Sequence, residues 1–86
     1  MPTIAVIDGV RIMIFPYDHN PPHVHAFAAD FRLKLTIADG RILEARGTMG
    51  PAVIRRLQRW VLEHREKLNQ LWIEAARGNP ISQVEE

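Results

Sequence analysis

The hydrophobic pattern changes period once along the chain, near Gly50. Before it, apolar residues recur every two positions; after it, every three or four. The clearest stretch of period two is residues 31–37, where Phe31, Leu33, Leu35 and Ile37 alternate with Arg32, Lys34 and Thr36. That is a strand with one face buried and the other wet. Residues 3–7 and 10–15 are β-branched and apolar runs, the second interrupted by Arg11, and Asp8-Gly9 lies between them. An Asp-Gly pair supplies the positive φ angles of a tight hairpin turn, so these two strands should pair antiparallel. Residues 23–28 alternate weakly, and Asp39-Gly40 joins residues 31–37 to residues 41–45 by the same hairpin logic. The reading is an antiparallel meander of about five short strands, within residues 3–46.

Beyond Gly47-Thr-Met-Gly50, the residues Val53, Leu57, Trp60, Val61, Leu68, Leu71, Trp72 and Ala75 recur at helical spacing. Pro51 suits a first helical position, with Thr48 or Gly50 as the cap, and Gly78-Asn79-Pro80 is a stop. A single helix over residues 51–77 would be about 40 Å long and would overhang a five-strand sheet. A break at residues 63–66 is therefore expected, giving two C-terminal helices, or one broken helix, on one face of the sheet. The fold class is α+β, one domain over residues 1–80. Residues 81–86 form a frayed tail in which Ile81 and Val84 could add a short packing contact.

Composition narrows the classes. With 86 residues, 47% hydrophobic and 24% charged, the chain has material for one core and is neither disordered nor fibrous. No apolar run reaches the roughly 18–20 residues of a membrane helix, and Met-Pro-Thr-Ile lacks the basic-then-apolar order of a signal peptide. A cytoplasmic protein is expected. The absence of cysteine fits a reducing compartment and excludes disulfides, thiolate catalysis and cysteine-held zinc, so any metal must sit on nitrogen and oxygen. The net charge of +1 conceals a basic middle: residues 31–59 hold seven basic side chains against two acidic ones, and the rest of the chain four against eight. Within it, Arg55 and Arg59 share a helical side, and with Arg56, Arg46 and the Arg32/Lys34 strand face they are candidates for a phosphate-binding surface. A solvated helix face is the plainer account of the same arginines.

The concentrated chemistry is Tyr17-Asp-His-Asn-Pro-Pro-His-Val-His-Ala26, which holds three of the four histidines within seven residues. In an extended chain His23, His25 and Phe27 project from one side, and the proline pair fixes where Asp18 and His19 lie relative to them. Three readings compete. His23 and His25 are a general acid and base, with His19 and Asp18 orienting them, a set able to cleave RNA through its own 2′-hydroxyl. Alternatively His19, His23 and His25, with Asp18 as ligand or support, hold a divalent metal such as zinc; the acid–base reading requires no cofactor. In the third, the polar side chains only satisfy the backbone of an irregular loop. His64, on the apolar stripe of the helical region, reads as a buried, hydrogen-bonded histidine at the helix break, and Trp60 and Trp72 as core anchors.

The Asp18-His-Asn-Pro-Pro-His-Val-His25 loop resembles a small bacterial family, domain of unknown function 4160. So do the opening Met-Pro-Thr-Ile, the Gly40-Arg-Ile-Leu-Glu-Ala-Arg-Gly47 hairpin and the Trp60-Val-Leu-Glu-His64…Leu71-Trp72 helical pattern. The resemblance covers nearly the whole chain, and the loop is its specific part. It carries over Asp18, His19, Asn20, Pro21, Pro22, His23 and His25 as motif positions, with Trp60, His64 and Trp72 as structural markers. Phe27-Ala-Ala-Asp30, where the family has an aromatic-Gly-acidic turn, and Thr48-Met-Gly50 depart from its pattern and put local turn shapes in doubt. The resemblance implies a stand-alone protein encoded next to another small protein, an arrangement like a toxin–antitoxin operon. The functional expectation is a component of such a two-gene module, in its sharper form an RNA-cleaving toxin. The alternatives are a non-catalytic module that binds protein or nucleic acid, such as an antitoxin, and a histidine metal-binding protein. Partners are then the adjacent gene product and RNA, with no membrane, and a homodimer through an exposed edge strand is left open.

Overall fold

A computed structural model describes residues 3–84. Strands β1 (Thr3–Ile7), β2 (Val10–Met13), β3 (His23–Ala28), β4 (Phe31–Thr36) and β5 (Ile42–Gly47) form one antiparallel sheet in chain order, followed by helices α1 (Pro51–Glu63) and α2 (Arg65–Ala76). This is the expected α+β meander with two C-terminal helices. The β1–β2 turn has Asp8 at φ 51° and Gly9 at φ 78°, the pair of left-handed residues that a two-residue hairpin demands.

The second Asp-Gly works differently. Gly40 N–H donates to the Thr36 carbonyl at 2.9 Å, the Thr36 hydroxyl donates to the Asp39 carboxylate, and Arg41 N–H reaches Thr36 Oγ1 at 3.0 Å and Asp39 Oδ1 at 3.1 Å. Side-chain acceptors here compete for backbone donors that a tight hairpin would use itself. The turn is wider in consequence, β5 starts at Ile42, and the register shifts between Lys34 and Leu35.

Cross-strand partners share a sheet face. Ala5, Ile12, Ala26, Leu33 and Ala45 lie opposite one another in a row across all five strands, and the next row, Val6, Arg11, Phe27, Arg32 and Arg46, belongs to the other face. The first face is the core face. Ile12, Ile14, Val24, Ala26, Leu33 and Leu35 on it are essentially inaccessible and cluster with Leu57, Trp60, Val61, Leu68, Leu71, Trp72 and Ala75 of the helices. Each buried Leu or Ile side chain is worth about 1.5–3 kcal/mol of transfer free energy. All six residues of β5 are exposed.

The helical region breaks at His64, inside the expected interval, where φ is −112°. Its Nδ1 donates to the Trp60 carbonyl at 2.9 Å and its ring stacks on Trp60 at 4.6 Å between centroids. His64 is thus hydrogen-bonded as expected but half-exposed, because the break turns it outward. Gly50 is the N-cap before Pro51. In the tail Val84 is buried and donates its N–H to the Ile4 carbonyl at 2.6 Å, and Ile81 packs against the core, the short packing contact that these two residues offer. Residues 85–86 lie outside the described residues. Among the described residues no helix is long and apolar enough to cross a membrane.

Candidate metal centre

After β2 the chain enters a loop held from outside the sheet. Tyr17, at φ 60°, donates its N–H to the Ala75 carbonyl at the end of α2 (3.1 Å). Its ring lies directly against Gly78, where φ is 75° and any Cβ would collide with the phenol. The Asn20–Pro21 bond is cis, and the Pro22 carbonyl accepts Ile37 N–H at 3.0 Å. These fixed points set Asp18 over the start of β3.

There Asp18 Oδ2 is 3.0 Å from His25 Nε2 and 3.0 Å from His23 Nε2, while Oδ1 accepts His19 N–H at 2.9 Å. The three side chains are poorly exposed: 15% for Asp18, 4% for His23 and 12% for His25. Trp72 walls the His23 side, with ring centroids 5.2 Å apart. Phe15 meets His25 edge-on at 4.6 Å, and Phe27 stacks parallel to it at 5.8 Å. Although partial burial pushes its carboxyl up, the hydrogen bond to His25 and that from His19 N–H hold Asp18 below its ordinary range. Burial pushes the His25 imidazole down, and this outweighs the hydrogen bond to Asp18, which raises it. A carboxylate beside a neutral imidazole is the ligand state a metal requires.

His23 decides what the cluster lacks. Its Nδ1 sits 2.7 Å from the Pro21 carbonyl, an acceptor, so Nδ1 carries the proton. In the neutral ring Nε2 then bears a lone pair. That atom is buried and has no hydrogen-bond partner: the 3.0 Å approach to Asp18 Oδ2 is close enough but poorly aligned. A buried lone pair beside a carboxylate oxygen calls for a cation, either a proton on Nε2 or a metal ion. Asp18, His23 and His25 are a group whose ligand atoms all lie within 4.8 Å of one another. Two ligand atoms each about 2.1 Å from an ion and at right angles lie about 3.0 Å apart, so the two 3.0 Å separations from Asp18 Oδ2 are of the size that neighbouring ligands of one ion have. The backbone bond from His23 Nδ1–H is the outer support that fixes a ligating imidazole.

His19 is not gathered with the others. Its side chain is 87% exposed and only its Nδ1 comes near Asp18, 3.3 Å from Oδ1. The buried His23, tied to Pro21, is poorly placed to exchange protons with a bulky substrate. Lys34 stands directly across from His25 on β4, the one basic candidate brought beside the cluster, and its Nζ is 3.7 Å from Glu44. Arg46, on β5, lies 3.8 Å from Glu44. Arg55, Arg56 and Arg59 ride on α1. Arg56 Nε pairs with Asp8 at 2.6 Å, in the turn at the opposite end of β2 from the loop, and Arg59 lines a cleft with Ile7, Trp60 and His64. They do not join the histidine site, because the helix packs on the core face while His23 and His25 belong to the other. The sequence reading missed Phe15 and Trp72 as walls of the site. The two-residue step from Met13 to Phe15 signalled the first, and nothing local signalled the second.

Fold and site define a small α+β domain with a histidine–aspartate cluster at the mouth of its central strand. The chain belongs to the family described as Domain of unknown function (DUF4160), whose model matches residues 9–73, a span that includes the whole cluster. Neither the curated proteins nor the solved structures searched contain a match.

Proposed function

We propose that this protein binds a first-row divalent transition-metal ion on Asp18 Oδ2, His23 Nε2 and His25 Nε2. The observation that carries the reading is the buried, unpartnered Nε2 of His23 beside a carboxylate oxygen. Two imidazoles and one carboxylate on one side of an ion leave further positions open, the donor set of mononuclear iron, manganese and zinc sites that work on a substrate or water. On this reading the ion, and not a His23/His25 acid–base pair, polarises whatever binds there. His25 and Asp18 ligate, Pro21 and Trp72 hold His23 in place, and Lys34 offers a positive charge to an anionic substrate.

The test is elemental analysis of untagged protein reconstituted anaerobically with iron, manganese or zinc and then desalted. About one equivalent of one metal is expected in the wild type, with none retained by His23→Gln. A wild type that retains no more than His23→Gln would overturn the proposal. The cytoplasmic two-gene, toxin–antitoxin-like setting is a proposal supported by the family resemblance. Its check is growth of a bacterial host expressing the wild type beside His23→Ala/His25→Ala, with arrest by the wild type alone as the expected result.

A further inference from the structure

By strand alternation the ligand histidines belong to the sheet face opposite the helices, with Trp72 of α2 reaching only the His23 ring at the start of β3, and that face has a second feature. Two residues beyond His25, the row Arg11, Phe27, Arg32 and Arg46 crosses four adjacent strands in register. Arg11, Arg32 and Arg46 are exposed, and the Arg32 guanidinium lies over the Phe27 ring at 5.5 Å from its centroid. Phe27 in turn stacks on His25. The neighbouring row adds Lys34, and Glu44 is the one acidic side chain of the two rows. Strands sit about 4.8 Å apart, so three guanidinium groups are spread along roughly 14 Å of a line that passes the metal ligands.

From this juxtaposition we infer that the open sheet face binds single-stranded RNA, with phosphates on Arg11, Arg32 and Arg46 and a base stacked on the Arg32–Phe27 pair next to the ion. As the substrate class of the metal centre, the inference rests on the metal reading; as a binding surface it is tested separately. Charge complementarity selects a polyanion, since the row carries three cations and no anion. The aromatic ring selects unpaired bases, because a half-buried phenylalanine on a sheet surface cannot reach bases inside a duplex. Single strands are the ordinary state of much RNA, whereas DNA is mostly paired. The arginines of α1 take no part, so the basic surface lies on the strands alone.

The experiment is fluorescence anisotropy with a labelled oligouridylate, run with metal-loaded and chelator-treated protein over a range of salt. The exposed triple variant Arg11→Ala/Arg32→Ala/Arg46→Ala should bind at least tenfold more weakly. Its log K against log salt should be shallower by about 2, since each lost phosphate contact on a single strand removes about 0.7. Phe27→Leu keeps the bulk beside His25 and should lose roughly fivefold or more through stacking alone. Wild-type affinity in the triple variant would overturn the inference, and so would equal affinity for duplex RNA or for oligothymidylate. Failure of the metal reading looks different: no metal is retained, yet oligouridylate still binds through the arginine row. In that case the surface stands and its role as substrate site for an ion falls.

Discussion

Strand β3 uses its two faces for opposite purposes. Val24 and Ala26 are fully buried among aliphatic side chains, where no polar atom needs a partner. His23 and His25, one residue out of phase, are nearly as buried on the other side, but among a carboxylate, a proline carbonyl and aromatic rings. The core face repays burial through transfer free energy alone. The histidine face carries a buried His23 Nε2 without a hydrogen-bond partner, and strand alternation keeps the two chemistries apart although the residues are sequence neighbours.

The comparison predicts a sharp division of mutant effects. Leu35, which faces Val24 across β4, is 1% exposed, and Leu35→Ala should cost about 2–5 kcal/mol in urea unfolding. The folded fraction of that variant should still bind metal with wild-type stoichiometry, and loss of both together would erase the distinction between the faces. Gly78→Ala strikes the loop's anchor. The left-handed backbone and the Tyr17 ring both exclude a Cβ, so a loss of about 1–3 kcal/mol is expected. Because Tyr17 precedes Asp18, metal affinity should fall as well, measured by competition with a chromogenic chelator. Trp72→Phe removes part of a core side chain and should cost about 1–2 kcal/mol, and in the folded protein it should also weaken metal binding by roughly tenfold, the scale for losing a neighbour that fixes a ligand.

The smallest effect concerns pH and lies away from the site. The hydroxyl of Thr36 and the N–H of Arg41 hold the exposed Asp39 carboxyl below its ordinary value. A group depressed on folding contributes stability above its unfolded pKa and loses it as pH falls through its folded one. Asp39→Ala should therefore be slightly less stable than the wild type at neutral pH, and the gap should close below about pH 4. For His25, depressed by burial, the same sign places the loss between about pH 6.5 and lower values in metal-free protein. His25→Phe should flatten that part of the thermal-stability profile.

The fold was largely legible because its signals are local. Asp8-Gly9, the alternation of residues 31–37, and Pro51 with Gly78 at the two ends of the helical region each fix their element without help from elsewhere. The wider turn at Asp39 escaped because it depends on Thr36, three residues back, catching the carboxylate. The site was half legible. His-x-His on a strand with Asp18 nearby is a local pattern, and two of the three histidines of the loop meet at Asp18 Oδ2. The exclusion of His19 follows from how the loop is pinned to Ala75 and Gly78, and the separation of Arg55, Arg56 and Arg59 follows from which face the helix covers. Trp72 beside His23 and Lys34 across from His25 are likewise products of packing and register. A linear sequence does not state these distances.

The central claim is that an ion completes the Asp18, His23 and His25 cluster, and X-ray absorption on zinc-reconstituted, untagged protein addresses it most directly. The account predicts nitrogen and oxygen scatterers at about 2.0–2.1 Å with imidazole outer-shell features of two rings, reduced to one ring in His23→Gln. A spectrum with water-like oxygen scattering alone, identical in wild type and His23→Gln, would contradict it and leave a protonated His23 as the partner of Asp18.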